Sequence, residues 1–114
     1  MNKATIQSLI DVVVRFREDR DWKKLTSMKN IAIALSLEAA EVLEHFKWKT
    51  DEEVNAYIIN HKTEIEEELM DVLFNALLMI ERLGTNVDTM FMEKMEKNNR
   101  KYPIEKVKGK NPHI

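Results

Sequence analysis

The feature that most constrains how this chain can fold is a pair of acidic motifs placed within apolar helical sequence. Glu38-x-x-Glu41 and Glu68-x-x-Asp71 each interrupt a run rich in aliphatic residues, and we refer to these four side chains as the acidic quartet. Residues three apart lie on the same face of a helix, so each motif directs two carboxylates to one side. A carboxylate on a core-facing surface is costly unless it is paired or binds a metal. The sequence therefore predicts two helices that share cations between their acidic faces.

The composition favours helices over strands. The 114 residues include only 2 Gly and 2 Pro, and 33% are charged. Glutamate, lysine, leucine and alanine, which form helices well, are abundant. We predict an all-α protein, a compact bundle of four to five helices in a single domain. Helices that are apolar on more than one side exceed what so small a core can bury, so we expect protomers to associate.

The same composition excludes several classes of protein. The chain has no cysteine, so disulfides and thiolate metal sites are excluded. No apolar run approaches the roughly 18 residues that a membrane span requires, and the first ten residues lack the apolar segment of a secretory signal. The formal net charge of -2 argues against general nucleic-acid binding. We expect a cytoplasmic protein with neither membrane nor nucleic-acid partners.

Helical periodicity and capping signals predict the element boundaries. The predicted helices span about 4–20, 26–48, 50–59, 63–83 and 87–101. Thr50 and Glu53 match a capping box, and Gly84 is suited to end the long helix. Tyr102 precedes a proline, which disfavours continued helix. We therefore assign residues 1–102 to the helical domain and 103–114 to an extended C-terminal arm.

Projection at about 100° per residue places the acids on two narrow stripes. The first stripe comprises Ala34, Glu38, Glu41, His45 and Trp48, and the second comprises Glu64, Glu68, Asp71 and Asn75. Antiparallel packing would line a cleft with the acidic quartet. Mg²⁺ prefers oxygen ligands and keeps open positions for substrate phosphates. This arrangement predicts a magnesium site for phosphate chemistry.

Two alternative roles for the acids fit the sequence less well. Surface carboxylates usually pair with lysine or arginine, but neither residue lies on the two stripes. Di-iron carboxylate bundles carry Glu-x-x-His motifs on two helices, whereas an acid occupies the histidine position after Glu38 and Glu68. Redox iron is therefore disfavoured.

Three sequence blocks give a family resemblance. They are LSLEAAEVLEHFKW at 35–48, EELMDVL at 67–73 and KMEKNNRKYP at 94–103. In this order and spacing they resemble the all-α nucleoside triphosphate pyrophosphatase superfamily, and most closely its MazG-like branch, which includes dCTP pyrophosphatases. The resemblance extends over about 16–110 and includes Trp22 with the two residues before it.

The resemblance implies a magnesium-dependent hydrolase, with Mn²⁺ as a substitute, that converts (deoxy)nucleoside triphosphates into monophosphate and pyrophosphate. It also implies a role in nucleotide-pool sanitation and a homodimer or a dimer-of-dimers homotetramer. It implies that the acidic quartet provides both the metal ligands and the catalytic groups. The substrate-binding residues that it implies are Trp22 and Trp48 near the base, and Lys94, Asn98, Lys101 and Tyr102 on the polyphosphate.

The chain departs from the family pattern where the base would be read. Val13 and Thr26 occupy places at which dCTP-like members carry histidines, so no base preference is predicted. Two alternative functions stay open. One is a non-catalytic helical interaction or ion-binding protein, and the other is a hydrolase of another phosphoanhydride such as phosphoribosyl-ATP.

Overall fold

Helices joined by short turns make up nearly all of residues 3–110, the part of the chain that the computed structural model describes. The helices are α1 (Ile6–Asp19), α2 (Met28–Glu44), α3 (Asp51–Leu83), α4 (Val87–Lys101) and α5 (Ile104–Val107), with a 3₁₀ turn at Lys23–Leu25. This part of the chain contains no β-strand, which confirms the predicted all-α class. None of the described helices is both long and apolar enough to cross a membrane.

Local side-chain caps and a glycine fix several helix ends, including the predicted ones at Thr50 and Gly84. Ser27 caps α2 by accepting the Asn30 backbone N–H at 3.1 Å, and Thr50 and Glu53 form the predicted capping box at the start of α3. Gly84 ends α3 in the left-handed conformation with φ of 67°, which glycine adopts without steric cost. Asn86 caps α4.

The C-terminal end predicted for the second helix is wrong. α2 ends at Glu44, and the residues after it form a turn that leads into α3. Trp48 within this turn has φ of +64°, a conformation that a residue with a β-carbon adopts only at an energetic cost. Trp48 therefore does not continue the acidic stripe of α2.

The bend predicted near residue 60 occurs at His61, where a kink divides α3 into the two helical segments that the sequence predicts. His61 has φ of -126° and ψ of 15° within α3. Its Nδ1 lies 2.9 Å from the backbone carbonyl oxygen of Tyr57, one turn earlier. A side chain that inserts into the helical hydrogen-bond ladder is a recognised cause of kinks.

The chain divides after Gly84 into two compact units. In the first unit α1 and α2 pack against α3. The buried apolar residues of this packing are Ile10, Val13, Ile31, Ile65, Leu77 and Leu78. Arg82 of α3 donates to the backbone carbonyl of Thr26 before α2, whereas His45 after α2 contacts Glu68. α2 therefore runs antiparallel to the C-terminal half of α3, as predicted.

The second unit contains α4 and α5. Residues 103–114 were predicted to be extended, but Ile104–Val107 forms one helical turn, and 111–114 lie outside the described residues. Four large apolar side chains of α4 are exposed, namely Met90, Phe91, Met92 and Met95. Exposed apolar surface of this kind is what association of protomers would cover, and the oligomer stays a prediction.

Candidate functional site

The antiparallel packing of α2 and α3 brings the acidic quartet together. The pKa of Glu38 is raised above 4.5, first by burial, then by a hydrogen bond with Glu41, and then by the negative charges of Glu41, Asp71 and Glu68. A hydrogen bond between two carboxyl groups requires a proton on one of them. The four acids therefore act on one another electrostatically, and in the absence of a cation they favour retention of a proton.

The environment of the Glu38 carboxyl group shows whether a cation would suit the acidic quartet. Its Oε2 is buried and has no hydrogen-bond partner in the described part of the chain. A buried carboxylate oxygen without a partner is energetically costly. A divalent cation would satisfy that oxygen and remove the repulsion between the acids, so the donor set fits magnesium.

The carboxylates do not form a preassembled cage. Among residues 3–110, no three His, Asp or Glu side chains are grouped so that they could hold a metal ion as they stand. Glu41 and Asp71 are exposed, and their side chains can therefore rotate. Mg²⁺ usually retains several waters and takes one or two carboxylates together with substrate phosphates. The open arrangement suits a cation that arrives with its substrate.

His45 and Tyr57 belong to the same site, although sequence reasoning assigned them no role. His45 Nε2 lies 2.5 Å from Glu68 Oε2, and its Nδ1 lies 2.7 Å from the Tyr57 hydroxyl. The signal for His45 was present, because it lies four residues after Glu41 on the acidic stripe. Tyr57 carried no comparable signal, since its position depends on the path of α3 before the kink.

An aromatic pocket adjoins the acids. Asp71 lines a cavity of about 370 Å³ together with Trp22, Phe16 and Phe74. Phe16 meets Trp22 edge to face with 5.8 Å between ring centroids, and meets Phe74 in the same way at 5.6 Å. The structure thus places Trp22 beside one member of the acidic quartet. Aromatic faces here can accept a flat, apolar ring.

A second cavity of about 160 Å³ shares Trp22 and Phe74 with the first and adds polar groups. Arg17 lines it with a side chain that is only 1% exposed. Its Nη1 donates to Glu81, whereas Nε and Nη2 have no hydrogen-bond partner among the described residues. Asn75 also lines this cavity, and its Nδ2 donates to the Asp71 backbone carbonyl. Buried donors of this kind match a ligand that carries hydrogen-bond acceptors.

The remaining predicted substrate-binding residues belong to later parts of the chain. Trp48 lies in the turn between α2 and α3 and is 91% exposed. Lys94, Asn98 and Lys101 belong to the C-terminal half of α4, and Tyr102 follows that helix directly, all within the second unit. Lys101 Nζ lies 5.3 Å from the centroid of the Tyr102 ring. A polyphosphate-binding role for these residues stays a prediction.

Comparison with known proteins gives consistent similarities. A family model described as the MazG-like family matches residues 33–112. The chain is 28% identical over 110 residues to dCTP pyrophosphatase 1 of Bos taurus, covering 95% of this chain and 65% of that protein. It is 30% identical over 103 residues to dCTP pyrophosphatase 1 of Homo sapiens, covering 89% and 61%. The chain therefore spans less than two thirds of the length of these curated relatives.

A solved structure is similar over nearly its whole length. It is a pyrophosphatase from Archaeoglobus fulgidus, with a TM-score of 0.81 and 36% sequence identity. The similarity covers 90% of this chain and 96% of the archaeal chain. The two proteins thus share a fold over nearly all of both chains, and their sequences are related over the same range.

Proposed function

This chain belongs to the MazG-like family, and we propose that it is a hydrolase that converts (deoxy)nucleoside triphosphates into nucleoside monophosphates and pyrophosphate. The observation that carries the proposal is the acidic quartet, gathered from α2 and α3 beside an aromatic pocket that Asp71 also lines. Carboxylates suit the cation and the phosphates, and the pocket suits a nucleobase. The names of the similar proteins support the same class of reaction.

The acidic quartet would hold Mg²⁺, or Mn²⁺ in its place. When bound, such a cation neutralises phosphate charge and lowers the pKa of a coordinated water. The unpartnered Oε2 of Glu38 and the raised pKa of that carboxyl support this assignment, because both are relieved when a cation replaces the proton.

The residues of the chain have three tasks in the proposed reaction. A carboxylate accepts a proton as water attacks phosphorus and the α–β phosphoanhydride bond breaks, which releases pyrophosphate. The members of the acidic quartet, and Glu44 next to them in sequence, are the candidates for this base. Trp22 stacks on the nucleobase, and Trp48 contributes a second aromatic surface.

The third task is to bind the polyphosphate. We assign it to the ammonium, amide and phenol donors at the end of α4, namely Lys94, Asn98, Lys101 and Tyr102. Ammonium groups bind phosphate oxygens through charge-assisted hydrogen bonds. These donors lie in the second unit, so their assignment rests on the family pattern of the sequence. The corresponding cellular role is the removal of unwanted nucleotides from the nucleotide pool. We expect the protein to act in the cytoplasm, as a homodimer or a homotetramer.

The experiment that tests this proposal is product analysis with a panel of canonical and modified nucleoside triphosphates and Mg²⁺. Pyrophosphate and orthophosphate are measured separately, and the nucleotide product is identified by chromatography. We expect pyrophosphate together with the monophosphate. Orthophosphate with the diphosphate would contradict the proposed cleavage, and absence of turnover by folded protein would favour a non-catalytic role or another phosphoanhydride substrate.

A further inference from the structure

His45 links the end of α2 to one member of the acidic quartet. Its imidazole is 10% exposed and contacts Glu68 through Nε2 at 2.5 Å. The Tyr57 hydroxyl holds the opposite ring nitrogen at 2.7 Å. We propose that His45, fixed by Tyr57, is a positioning residue that orients Glu68 for cation binding. This inference rests on the proposed cation centre and names two residues that act through Glu68 instead of touching the substrate.

The hydrogen-bond pattern supports a positioning role whatever the charge of the imidazole. An ionised carboxylate only accepts hydrogen bonds, so Nε2 has to carry the hydrogen that faces Glu68. A tyrosine hydroxyl can donate or accept. It therefore complements Nδ1 in both the neutral and the protonated ring. Tyr57 thus fixes the orientation of the His45 ring, and no change in protonation is needed.

The contact with His45 uses one carboxylate oxygen of Glu68. The imidazole contacts Oε2, and Oε1 is the second acceptor that a cation can use. Carboxylates that bind metals are commonly held by such outer hydrogen bonds, which fix their orientation. A glutamate side chain that is already ordered loses less conformational entropy when it binds a cation. Glu41 and Asp71 are more exposed than Glu68, so Glu68 offers a cation a better-ordered ligand than either of them.

The kink in α3 holds Tyr57 in place. The Tyr57 ring stacks on the His61 ring with 3.8 Å between centroids and 3° between planes. The side chain of His61, the kink residue, also contacts the Tyr57 backbone carbonyl. Lys49 Nζ lies 4.4 Å from the centroid of the Tyr57 ring. These contacts order the Tyr57 side chain, and Tyr57 in turn orients His45. The kink in α3 therefore supports the acidic quartet indirectly, through Tyr57 and His45.

A matched set of variants separates this role from a purely structural one. His45→Gln keeps an N–H near the position of Nε2, whereas His45→Asn is too short to reach Glu68. Tyr57→Phe removes only the hydroxyl and keeps the stacked ring. The readout is Mg²⁺ affinity by isothermal titration calorimetry, with circular dichroism and metal-free thermal unfolding as controls for folding.

We expect His45→Asn to weaken Mg²⁺ binding by about 10–100-fold, His45→Gln to restore most of it, and Tyr57→Phe to cause a smaller loss. Equal Mg²⁺ affinity in wild type, His45→Asn and Tyr57→Phe would overturn the inference. Tighter binding by His45→Asn would also overturn it, because His45 would then restrain Glu68 away from the cation. Tyr57→Phe keeps the test decisive if His45 variants fail to fold.

Failure of the proposed function has a different signature. Wild-type protein that binds Mg²⁺ with the expected dependence on His45, yet cleaves no nucleotide, would contradict the reaction and support the positioning role. Nucleotide cleavage with unchanged Mg²⁺ affinity in the His45 variants would contradict the positioning role alone. Wild-type protein that binds no Mg²⁺, either alone or together with a non-hydrolysable nucleoside triphosphate, would overturn both.

Discussion

The guanidinium of Arg17 lies 2.9 Å from the carboxylate of Glu81, which joins α1 to the last turns of α3. Arg17 is 1% exposed at its side chain and Glu81 is 30% exposed. The pair fixes the two helices on either side of the cavity that contains Trp22 and Asn75. It leaves two guanidinium nitrogens without hydrogen-bond partners among the described residues, so the same arginine both supports the fold and lines the pocket.

Removal of the Glu81 charge should destabilise the protein. Glu81→Gln leaves the buried Arg17 cation only the exposed Glu18 carboxylate, 3.9 Å away, as a counter-charge. Loss of one partner of a buried pair costs about 3 kcal/mol. Urea unfolding followed by circular dichroism should show a clearly lower midpoint. Glu93→Gln, which removes an exposed charge on α4, is the control and should leave the midpoint unchanged. An unchanged midpoint in Glu81→Gln would show that this pair contributes little.

Replacement of Trp22 should weaken nucleotide binding more than it slows the chemical step. Stacking of a base on an aromatic side chain contributes about 1–3 kcal/mol. Trp22→Ala should therefore raise KM about 5–150-fold with a smaller change in kcat, and Trp22→Phe should recover part of the loss. Steady-state kinetics with a nucleoside triphosphate measures both constants. A decrease confined to kcat would place the base elsewhere.

Trp48 should lower the free energy of unfolding of the metal-free protein. Its left-handed backbone, with φ of +64°, coincides with 91% exposure, so little packing offsets the steric cost. Trp48→Gly should stabilise the metal-free protein by about 1 kcal/mol and raise KM, because the proposed aromatic contact is lost. Urea unfolding and kinetics test the two effects separately. If Trp48→Gly were less stable than wild type, Trp48 would be packed against a second protomer.

The stability of the metal-free protein should depend on the ionisation of Glu38. Its folded-state pKa is raised above 4.5 by burial, by the hydrogen bond with Glu41 and by the neighbouring acids. The folded protein therefore binds this proton more tightly than the unfolded chain does. The resulting stabilisation is complete below the unfolded pKa and is lost as the pH rises through the folded pKa.

The measurement is thermal unfolding at a series of pH values that extends from below the unfolded pKa of Glu38 to above its folded pKa. It is made once in a chelator and once in excess Mg²⁺. We expect Tm in the chelator to fall with rising pH, Mg²⁺ to oppose the fall, and Glu38→Gln to flatten the profile. If Tm of Glu38→Gln changed with pH in parallel with wild type, the assignment of this pH dependence to Glu38 would be contradicted.

Features that depend on neighbouring residues in the chain were predictable, and those that depend on distant ones were not. The capping box at Thr50 and the left-handed conformation at Gly84 depend on local residues, so the sequence reveals them. Helical periodicity likewise anticipated that the acids of α2 and α3 face each other. The left-handed Trp48 was missed because the turn between two packed helices determines it.

The polar contacts around the site were also inaccessible to sequence. Arg17 and Glu81 are 64 positions apart, and nothing local marks them as a pair. The contact of His45 with Tyr57 depends on the path of α3 before its kink. Side chains of this kind acquire a role only when tertiary packing brings their elements together.

The most direct test of the central claim is the initial rate of pyrophosphate release as a function of Mg²⁺ concentration in Asp71→Asn and Glu66→Gln. Both variants remove one negative charge from an exposed position of α3, but only Asp71 belongs to the acidic quartet. We predict that Asp71→Asn lowers the rate at least about 100-fold, since loss of a ligand should exceed loss of an outer hydrogen bond. Glu66→Gln should match wild type. Equal rates in Asp71→Asn and wild type, at every Mg²⁺ concentration, would contradict the assignment of the acidic quartet as the catalytic cation site.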